Sequence, residues 1–291
     1  MKNILLVTLL LSSLSSFAKL SVFTTTTNLA DIVKQIGGDK IEVTSFCKGV
    51  QDPHFLEAKP SYTVKLSRAD LLVSVGGGLE VGWLPLVVRG SRNPKVRIGQ
   101  RARLVAADFV HMLHEEKEEI SRAMGDVHPE GNPHFMVSPV ESVKVAKAVS
   151  DKLSELDSEN KKIYETNFKK FESSISKFLN DHKLKGNNKV ISYHKTLTYF
   201  YRDFNIENVD VLEPKPGIPP TASHIIKLIK KIKAQKIKKI IIENYFDDVV
   251  AKRIKKEVPD VEITTVAVAV DGKDGIGNIF DLYNHLIKAV R

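Results

Sequence analysis

Three histidines stand at positions where a chain can build a ligand site. His54 follows Pro53 soon after a predicted strand, His134 follows Pro133 after a charged segment, and His194 ends another predicted strand. Ligands bind beyond the carboxyl ends of the strands in open α/β sheets, and imidazole nitrogens suit a borderline metal such as zinc. A loop histidine taken alone is usually a polar surface residue, and the spacing of the three is a weak signal. A metal site between two halves of the chain is therefore a hypothesis at this point.

The sequence lacks the short motifs that would make another site specific. It contains no HExxH helix, no CxxC pair and no Walker loop, and Gly76-Gly77-Gly78 favours a tight turn over a dinucleotide fingerprint. The single cysteine, Cys47, excludes a disulfide framework within the chain and a cysteine-based zinc cluster.

The composition is that of a globular protein with a basic excess. Of 291 residues, 42% are hydrophobic and 27% are charged, and the formal net charge is +9. Nucleic acid or an anionic surface must therefore be considered as a partner. The lysines between Lys227 and Lys239 lie mainly on one predicted helix, which favours a solvated face, and we expect no nucleic-acid partner.

Residues 1–18 have the pattern of a secretory signal peptide. Lys2 provides a short positive region, Ile4 to Leu11 are mostly apolar, and Ser16 and Ala18 place small residues at a cleavage site. No cysteine stands at the new amino terminus, Lys19, for lipid attachment. We expect a soluble periplasmic protein without a lipid anchor.

Strand and helix patterns alternate in both halves of the chain, which predicts an α/β fold. We expect two lobes, each with a mostly parallel sheet and flanking helices. The limits are residues 19–157 for the first lobe, 158–184 for the linking helix and 185–291 for the second lobe. The predicted strands are Leu20–Thr24, Ile41–Cys47, Asp70–Val75, Val96–Ile98, Lys189–Tyr193, Lys239–Glu243 and Val261–Val270. The other predicted helices are Asn28–Ile36, Val140–Leu156, Thr221–Gln235, Asp247–Val258 and Ile279–Val290.

A regular apolar stripe marks the linking helix. Tyr164, Phe168, Phe171, Ile175 and Phe178 recur at intervals of four and three residues. A helix from about Ser158 to His182 would be ~37 Å long. It could join two lobes as a strut or pack as an ordinary surface helix, and the pattern alone does not decide between these alternatives.

Five segments follow one another along the mature chain and together span nearly all of it. They are Gln51 to Ser61 with Asp52-Pro53-His54, Ala69 to Leu84, Gly125 to His134, Tyr193-His194 with Tyr199-Phe200, and Glu213 to Pro220. Taken jointly, they resemble the zinc- and manganese-binding solute-binding proteins of ABC transporters, in the zinc-like branch of the cluster A-I type. The resemblance implies two α/β lobes joined by one long rigid helix, which fits the stripe from Tyr164 to Phe178.

The resemblance implies a metal site made by His54, His134 and His194, with a carboxylate from a late loop as fourth ligand. Asp271 is the candidate, but its loop, Asp271 to Gly275, departs from the family pattern. Asp274, the more distant Glu243 or a water molecule could fill the position instead, and Asp271 could be a simple turn residue.

The resemblance also implies a function without a chemical step. We expect a monomer that captures Zn²⁺ between the lobes and delivers it to an ABC permease in the inner membrane. His194 stands where manganese-selective members tend to carry a carboxylate, which favours zinc. The alternatives are a Mn²⁺ or Fe²⁺ receptor of the same family, a surface adhesin, and a zinc hydrolase with Glu57 as its base.

Three further histidines lie near the charged loop from Glu115 to Glu119. His111, His114 and His128 could collect metal there, and His128 could also support the ligands from behind. A plain surface position is the alternative for each of them.

Overall fold

Two parallel sheets of four strands form the framework of the two lobes, as predicted. The computed structural model describes residues 19–113, 128, 130–184, 186, 188–214 and 217–291. The first sheet has the order β2-β1-β3-β4 and is formed by β1 (Leu20–Thr24), β2 (Ile41–Ser45), β3 (Leu71–Ser74) and β4 (Arg103–Val105). The second has the order β6-β5-β7-β8 and is formed by β5 (Asn188–Ser192), β6 (Ile206–Val211), β7 (Lys239–Glu243) and β8 (Glu262–Val266).

Helices flank both sheets. Those before the second sheet are α1 (Thr27–Gly37), α2 (Pro60–Leu66), α3 (Leu84–Ser91), α4 (Pro139–Leu156) and α5 (Lys161–Asp181). Those of the second lobe are α6 (Thr198–Asp203), α7 (Ala222–Gln235), α8 (Val249–Glu257) and α9 (Ile279–Val290). None of the helices in the described part of the chain is both long and apolar enough to span a membrane.

The strand predicted at Val96–Ile98 in the first lobe is wrong. Residues Pro94–Val96 form a 3-10 turn, because Pro94 has no amide hydrogen to donate and the Asn93 side chain accepts from the amide of Lys95. The edge strand is β4, Arg103–Val105, which pairs with β3. The prediction also extended the last strand too far, since β8 ends at Val266 and the next residues turn towards the first lobe.

The long helix α5 contacts both lobes. Its stripe is buried at Tyr164, Phe171, Ile175 and Phe178. Asn167 donates a hydrogen bond to the Ile36 carbonyl in the first lobe. The Phe178 ring meets the rings of two second-lobe residues, Phe204 and Tyr283. The helix therefore links the lobes through side-chain packing, whereas the residue limits given above for each lobe stay a prediction.

The lobes also touch directly next to the strand ends. Asn28, in the first turn of α1, donates to the Val268 carbonyl and accepts from the Val270 amide. The Thr27 hydroxyl donates to the Val270 carbonyl. These bonds fix the carboxyl ends of the two sheets towards each other, where the histidines lie.

Candidate metal centre

His54 is held by a short turn that follows β2. Pro53–Phe55 form a 3-10 turn, and the Trp83 indole donates to the Pro53 carbonyl over 2.9 Å. Asp52 Oδ1 accepts from the His54 backbone amide at 3.0 Å and lies 2.7 Å from Nδ1 of its ring. A carboxylate only accepts, so Nδ1 carries the proton and Nε2 offers a lone pair.

His134 is fixed by the same arrangement with an amide in place of the carboxylate. Asn132 Oδ1 accepts from the His134 backbone amide at 2.9 Å and lies 2.8 Å from its Nδ1. Two hydrogen bonds join Asn132 to the second lobe. Its Nδ2 donates to the Lys195 carbonyl, and its own carbonyl accepts from the Tyr199 hydroxyl. Nε2 of His134 is buried and has no hydrogen-bond partner.

His194 lies just beyond β5 and is buried together with an acidic partner. Its Nδ1 is 3.0 Å from Glu213 Oε2, and Glu213 Oε1 accepts from the Gly217 amide. Three histidines thus have an oxygen acceptor at Nδ1, which leaves three Nε2 atoms for a cation. Such acceptors set the orientation and raise the basicity of metal-binding histidines.

The three predicted histidines meet in one place. The ring centroids of His54 and His134 are 5.2 Å apart, those of His134 and His194 are 5.2 Å apart, and those of His54 and His194 are 6.4 Å apart. First-lobe and second-lobe side chains therefore face each other across the line between the lobes.

A fourth imidazole, His128, joins them. Its Nε2 lies 3.1 Å from Nε2 of His54, and one nitrogen from each of His54, His128 and His134 falls within a span of 4.8 Å. Two nitrogens bound to one tetrahedral zinc ion are roughly 3.3 Å apart, from Zn–N distances of about 2.0–2.1 Å. The distance between the His54 and His128 nitrogens is close to that value.

A glycine loop makes room for His128. The Gly77 backbone forms a hydrogen bond with the His128 ring. Gly78 has φ +83°, and a Cβ there would lie 3.2 Å from His128 Nδ1. The loop after β3 can therefore approach the ring only with residues that tolerate this backbone conformation.

Among the described residues, the group whose ligand atoms lie within 4.8 Å of one another is His54, His128 and His134, and Asp271 is not part of it. Asp271 is exposed in a left-handed turn with φ 59°, and its amide donates to the Ile276 carbonyl. Asp274 is exposed in the same turn. The role of Asp271 as fourth ligand stays a prediction without support from this arrangement.

Glu243, the third carboxylate considered, is fully buried at the end of β7. Neither of its carboxylate oxygens makes a hydrogen bond of good geometry. Burial raises its pKa to about 8, although the Thr196 hydroxyl and the His194 backbone act against that rise. The protonated acid is therefore the stable form at neutral pH while no cation is nearby.

Comparison with known proteins decides the family. The sequence profile described as "Zinc-uptake complex component A periplasmic" matches residues 22–291. The chain belongs to this family. The resemblance predicted from the motifs is thereby confirmed.

Relatives and solved structures agree with this assignment. The chain is 28% identical over 276 residues to the "Manganese ABC transporter substrate-binding lipoprotein PsaA" of Streptococcus pneumoniae, covering 91% of this chain and 86% of that protein. It is 28% identical to the "Metal ABC transporter substrate-binding lipoprotein ScbA" of Streptococcus cristatus, covering 89% of this chain and 84% of that protein.

In fold, the chain resembles a crystal structure of ZnuA, with a TM-score of 0.77 at 22% identity over 94% of this chain and 100% of that one. It also resembles the substrate-binding protein FpvC of Pseudomonas aeruginosa in complex with Mn²⁺, with a TM-score of 0.78 at 22% identity over 94% of this chain and 99% of that one.

In this protein, the surroundings of His128 and His134 favour their neutral forms. Burial, and then the neighbouring His54 and His194, lower the pKa of His128 to about 4 and that of His134 well below its ordinary value. Neutral histidine is the form that binds metal, so these two rings need no deprotonation at neutral pH.

The remaining predicted metal collectors have different positions. His111 is exposed, and His114 lies outside the described residues. Sequence reasoning assigned His128 only a supporting or collecting role. The available signal was its position six residues before His134 within the Gly125 to His134 segment.

Proposed function

We propose that this protein captures Zn²⁺ between its two lobes outside the cytoplasm and delivers it to an ABC permease. One observation carries the proposal: His54, His134 and His194 each have an oxygen acceptor at Nδ1, so that their Nε2 atoms remain for one ion. Delivery is an exchange of ligands and contains no chemical step. We propose that the protein acts as a monomer at the inner membrane.

The ligand set favours zinc over manganese. We propose His54, His134, His194 and His128 as the ligands, because these four rings are gathered while Asp271 is not. Nitrogen ligands suit zinc, whereas Mn²⁺ prefers carboxylate and other oxygen ligands. Mn²⁺ is the second candidate cargo, since the names of PsaA and of the FpvC complex refer to manganese.

A zinc hydrolase is less well supported by the surroundings of the histidines. The cavity next to His134 has a volume of about 60 Å³, whereas sites for organic molecules measure roughly 300–1,000 Å³. Glu57, the carboxylate considered as a catalytic base, is exposed to solvent.

Competition titration of purified protein without a histidine tag tests the proposal. We expect one Zn²⁺ per chain, with much weaker Mn²⁺ binding, when the protein competes with a chromogenic chelator. His54→Ala and His134→Ala should nearly abolish tight binding, and His111→Ala should serve as a control with unchanged affinity. A preference for Mn²⁺, or the absence of tight binding of either ion, would refute the zinc assignment.

We also propose that the protein is exported and acts in the periplasm. The signal-peptide pattern of residues 1–18 supports export, and the two relatives described above are named lipoproteins. Cell fractionation with mass spectrometry of the mature amino terminus tests both the location and the state of that terminus. Recovery of the protein from the cytoplasm with residues 1–18 still attached would contradict the proposal.

A further inference from the structure

A buried carboxylate lies behind the glycine loop, Gly76 to Gly78, that approaches His128. Glu80 stands two residues after this loop and is only 4% exposed. Its Oε1 accepts from the Val75 amide at 2.8 Å, and its Oε2 accepts from the Gly76 amide at 3.0 Å. A carboxylate away from water is costly unless donors satisfy it. The two amides meet this requirement, and in return the carboxylate fixes the residues with which the chain leaves β3.

Two further groups connect Glu80 to the neighbouring strands. The Thr25 hydroxyl, directly after β1, donates to its Oε1 at 2.6 Å. Arg103 of β4 attracts the carboxylate electrostatically, and its Nη2 donates to the hydroxyl of Ser74, the last residue of β3, at 2.9 Å. The carboxyl ends of β1 and β3 and the adjacent strand β4 are therefore tied together around one carboxylate.

The glycine loop needs such a support, because its own backbone is permissive. All three glycines have positive φ, a conformation that glycine adopts readily but does not prefer over others. The Gly77 backbone forms a hydrogen bond with the His128 ring, and a Cβ at Gly78 would lie 3.2 Å from Nδ1 of that ring. Any shift of the loop therefore moves the contact that holds His128.

We propose that Glu80 is a positioning residue of the metal site, which fixes the glycine loop and thereby places the His128 ring. In this position, His128 Nε2 lies 3.1 Å from Nε2 of His54. The inference rests on the proposed role of His128 as a ligand. Glu80 would act on zinc affinity only through His128, whereas a buried carboxylate with a merely structural role would act on the stability of the fold.

A double-mutant cycle measured by competition titration tests the proposal. Glu80→Gln keeps the size of the side chain but replaces one acceptor oxygen by an amide group that donates. We expect Glu80→Gln to raise the dissociation constant of Zn²⁺ about tenfold in the wild type. In the His128→Ala background the same change should alter it by less than about twofold, because residues that act through one another are not additive.

Glu141→Gln is the matched control. Glu141 is a buried carboxylate of α4 whose oxygens pair with Lys144 and Arg202, and it has no contact with the glycine loop among the bonds of its side chain. This variant should leave the dissociation constant within about twofold of the wild type. Thermal melting of both variants shows whether a lower stability alone changes zinc binding.

Nuclear magnetic resonance of the metal-free protein gives a readout that does not depend on zinc. The ring signals of His128 should shift in Glu80→Gln and remain in place in Glu141→Gln. If Glu80→Gln does not fold, Thr25→Val carries both measurements, because it removes only the hydroxyl donor of Glu80 and should raise the dissociation constant about three- to tenfold.

Equal losses of affinity with and without His128, or unchanged His128 signals in Glu80→Gln, would each overturn the proposal. If the wild type binds no zinc, the proposed function fails. The ring signals of His128 then decide separately whether Glu80 places this side chain.

Discussion

Replacing His128 should weaken zinc binding, and replacing Asp271 should not. Zinc sites with four protein ligands bind with roughly 10–16 kcal/mol, so one ligand contributes about 3 kcal/mol. Water can take the vacated position and recover part of that energy. We therefore expect His128→Ala to raise the dissociation constant of Zn²⁺ by about 10- to 100-fold. Asp271 is exposed in its own turn, so Asp271→Ala should leave affinity within about twofold of the wild type.

Stopped-flow release into excess chelator and competition titration would measure the two effects. His128 is held by the Gly77 backbone, whereas side-chain oxygens of Asp52, Asn132 and Glu213 lie at Nδ1 of the other three histidines. Its loss should act mainly by faster release, since affinity differences between related complexes lie mostly in the off-rate. His111→Ala is the matched control, because it removes an exposed histidine from the same part of the chain.

The opposite pattern would refute this reasoning. If His128→Ala keeps wild-type affinity and release while Asp271→Ala weakens binding, the fourth ligand is the carboxylate first predicted from the family resemblance. The loop at Asp271 would then have to move to the histidines when metal binds. Unchanged affinity in both variants, combined with weaker binding by Glu243→Ala, would assign the position to Glu243 instead.

Three other predictions concern the surroundings of the ligands. Asp52→Ala should lower zinc affinity about 10- to 100-fold, because it leaves His54 without an acceptor at Nδ1. Asp52→Asn retains an acceptor oxygen and should lower the affinity less. Competition titration would measure both effects. Tyr199→Phe removes the bond between its hydroxyl and the Asn132 carbonyl and should lower the free energy of unfolding by about 1–3 kcal/mol in urea titrations, whereas an unchanged midpoint would contradict the role of this bond. In the metal-free protein, His128 should contribute a loss of about 2–3 kcal/mol of stability as pH falls from 6.5 to about 4, because the unfolded chain then binds a proton that buried His128 does not. His134, whose pKa is also lowered, should add to this loss. Melting curves across this range should be flatter for His128→Gln, and identical slopes in both proteins would exclude His128 as the source.

The sequence predicted most of the framework because its signals are local. Alternating apolar strands and amphipathic helices are visible in single segments, and the ends of the last helix, Ile279–Val290, agree with the structure. The edge strand at Arg103–Val105 was missed because three residues give too little periodicity. The strand β6 was missed as well, since its middle residues are only partly buried and show no clear alternation.

The site was predictable only as far as the motifs reached. His54, His134 and His194 each follow a strand or a proline, and the structure brings them together. The position of His128 depends on the close approach of the Gly76-Gly77-Gly78 loop to its ring. Such an approach between segments distant in sequence is set by tertiary packing, which local patterns do not contain.

The packing between the lobes has a consequence for how this protein unfolds. One continuous hydrophobic core includes Val22 and Leu29 of the first lobe, Phe171 and Ile175 of α5, and Leu282 of α9, among many others. If one lobe unfolds, the core residues of the other lobe become exposed to water. Heating should therefore give a single calorimetric transition in which the calorimetric and van't Hoff enthalpies are equal. Zinc bound between the lobes should move that transition to higher temperature as one peak. Either lobe expressed alone would leave half of a core exposed to water and should aggregate.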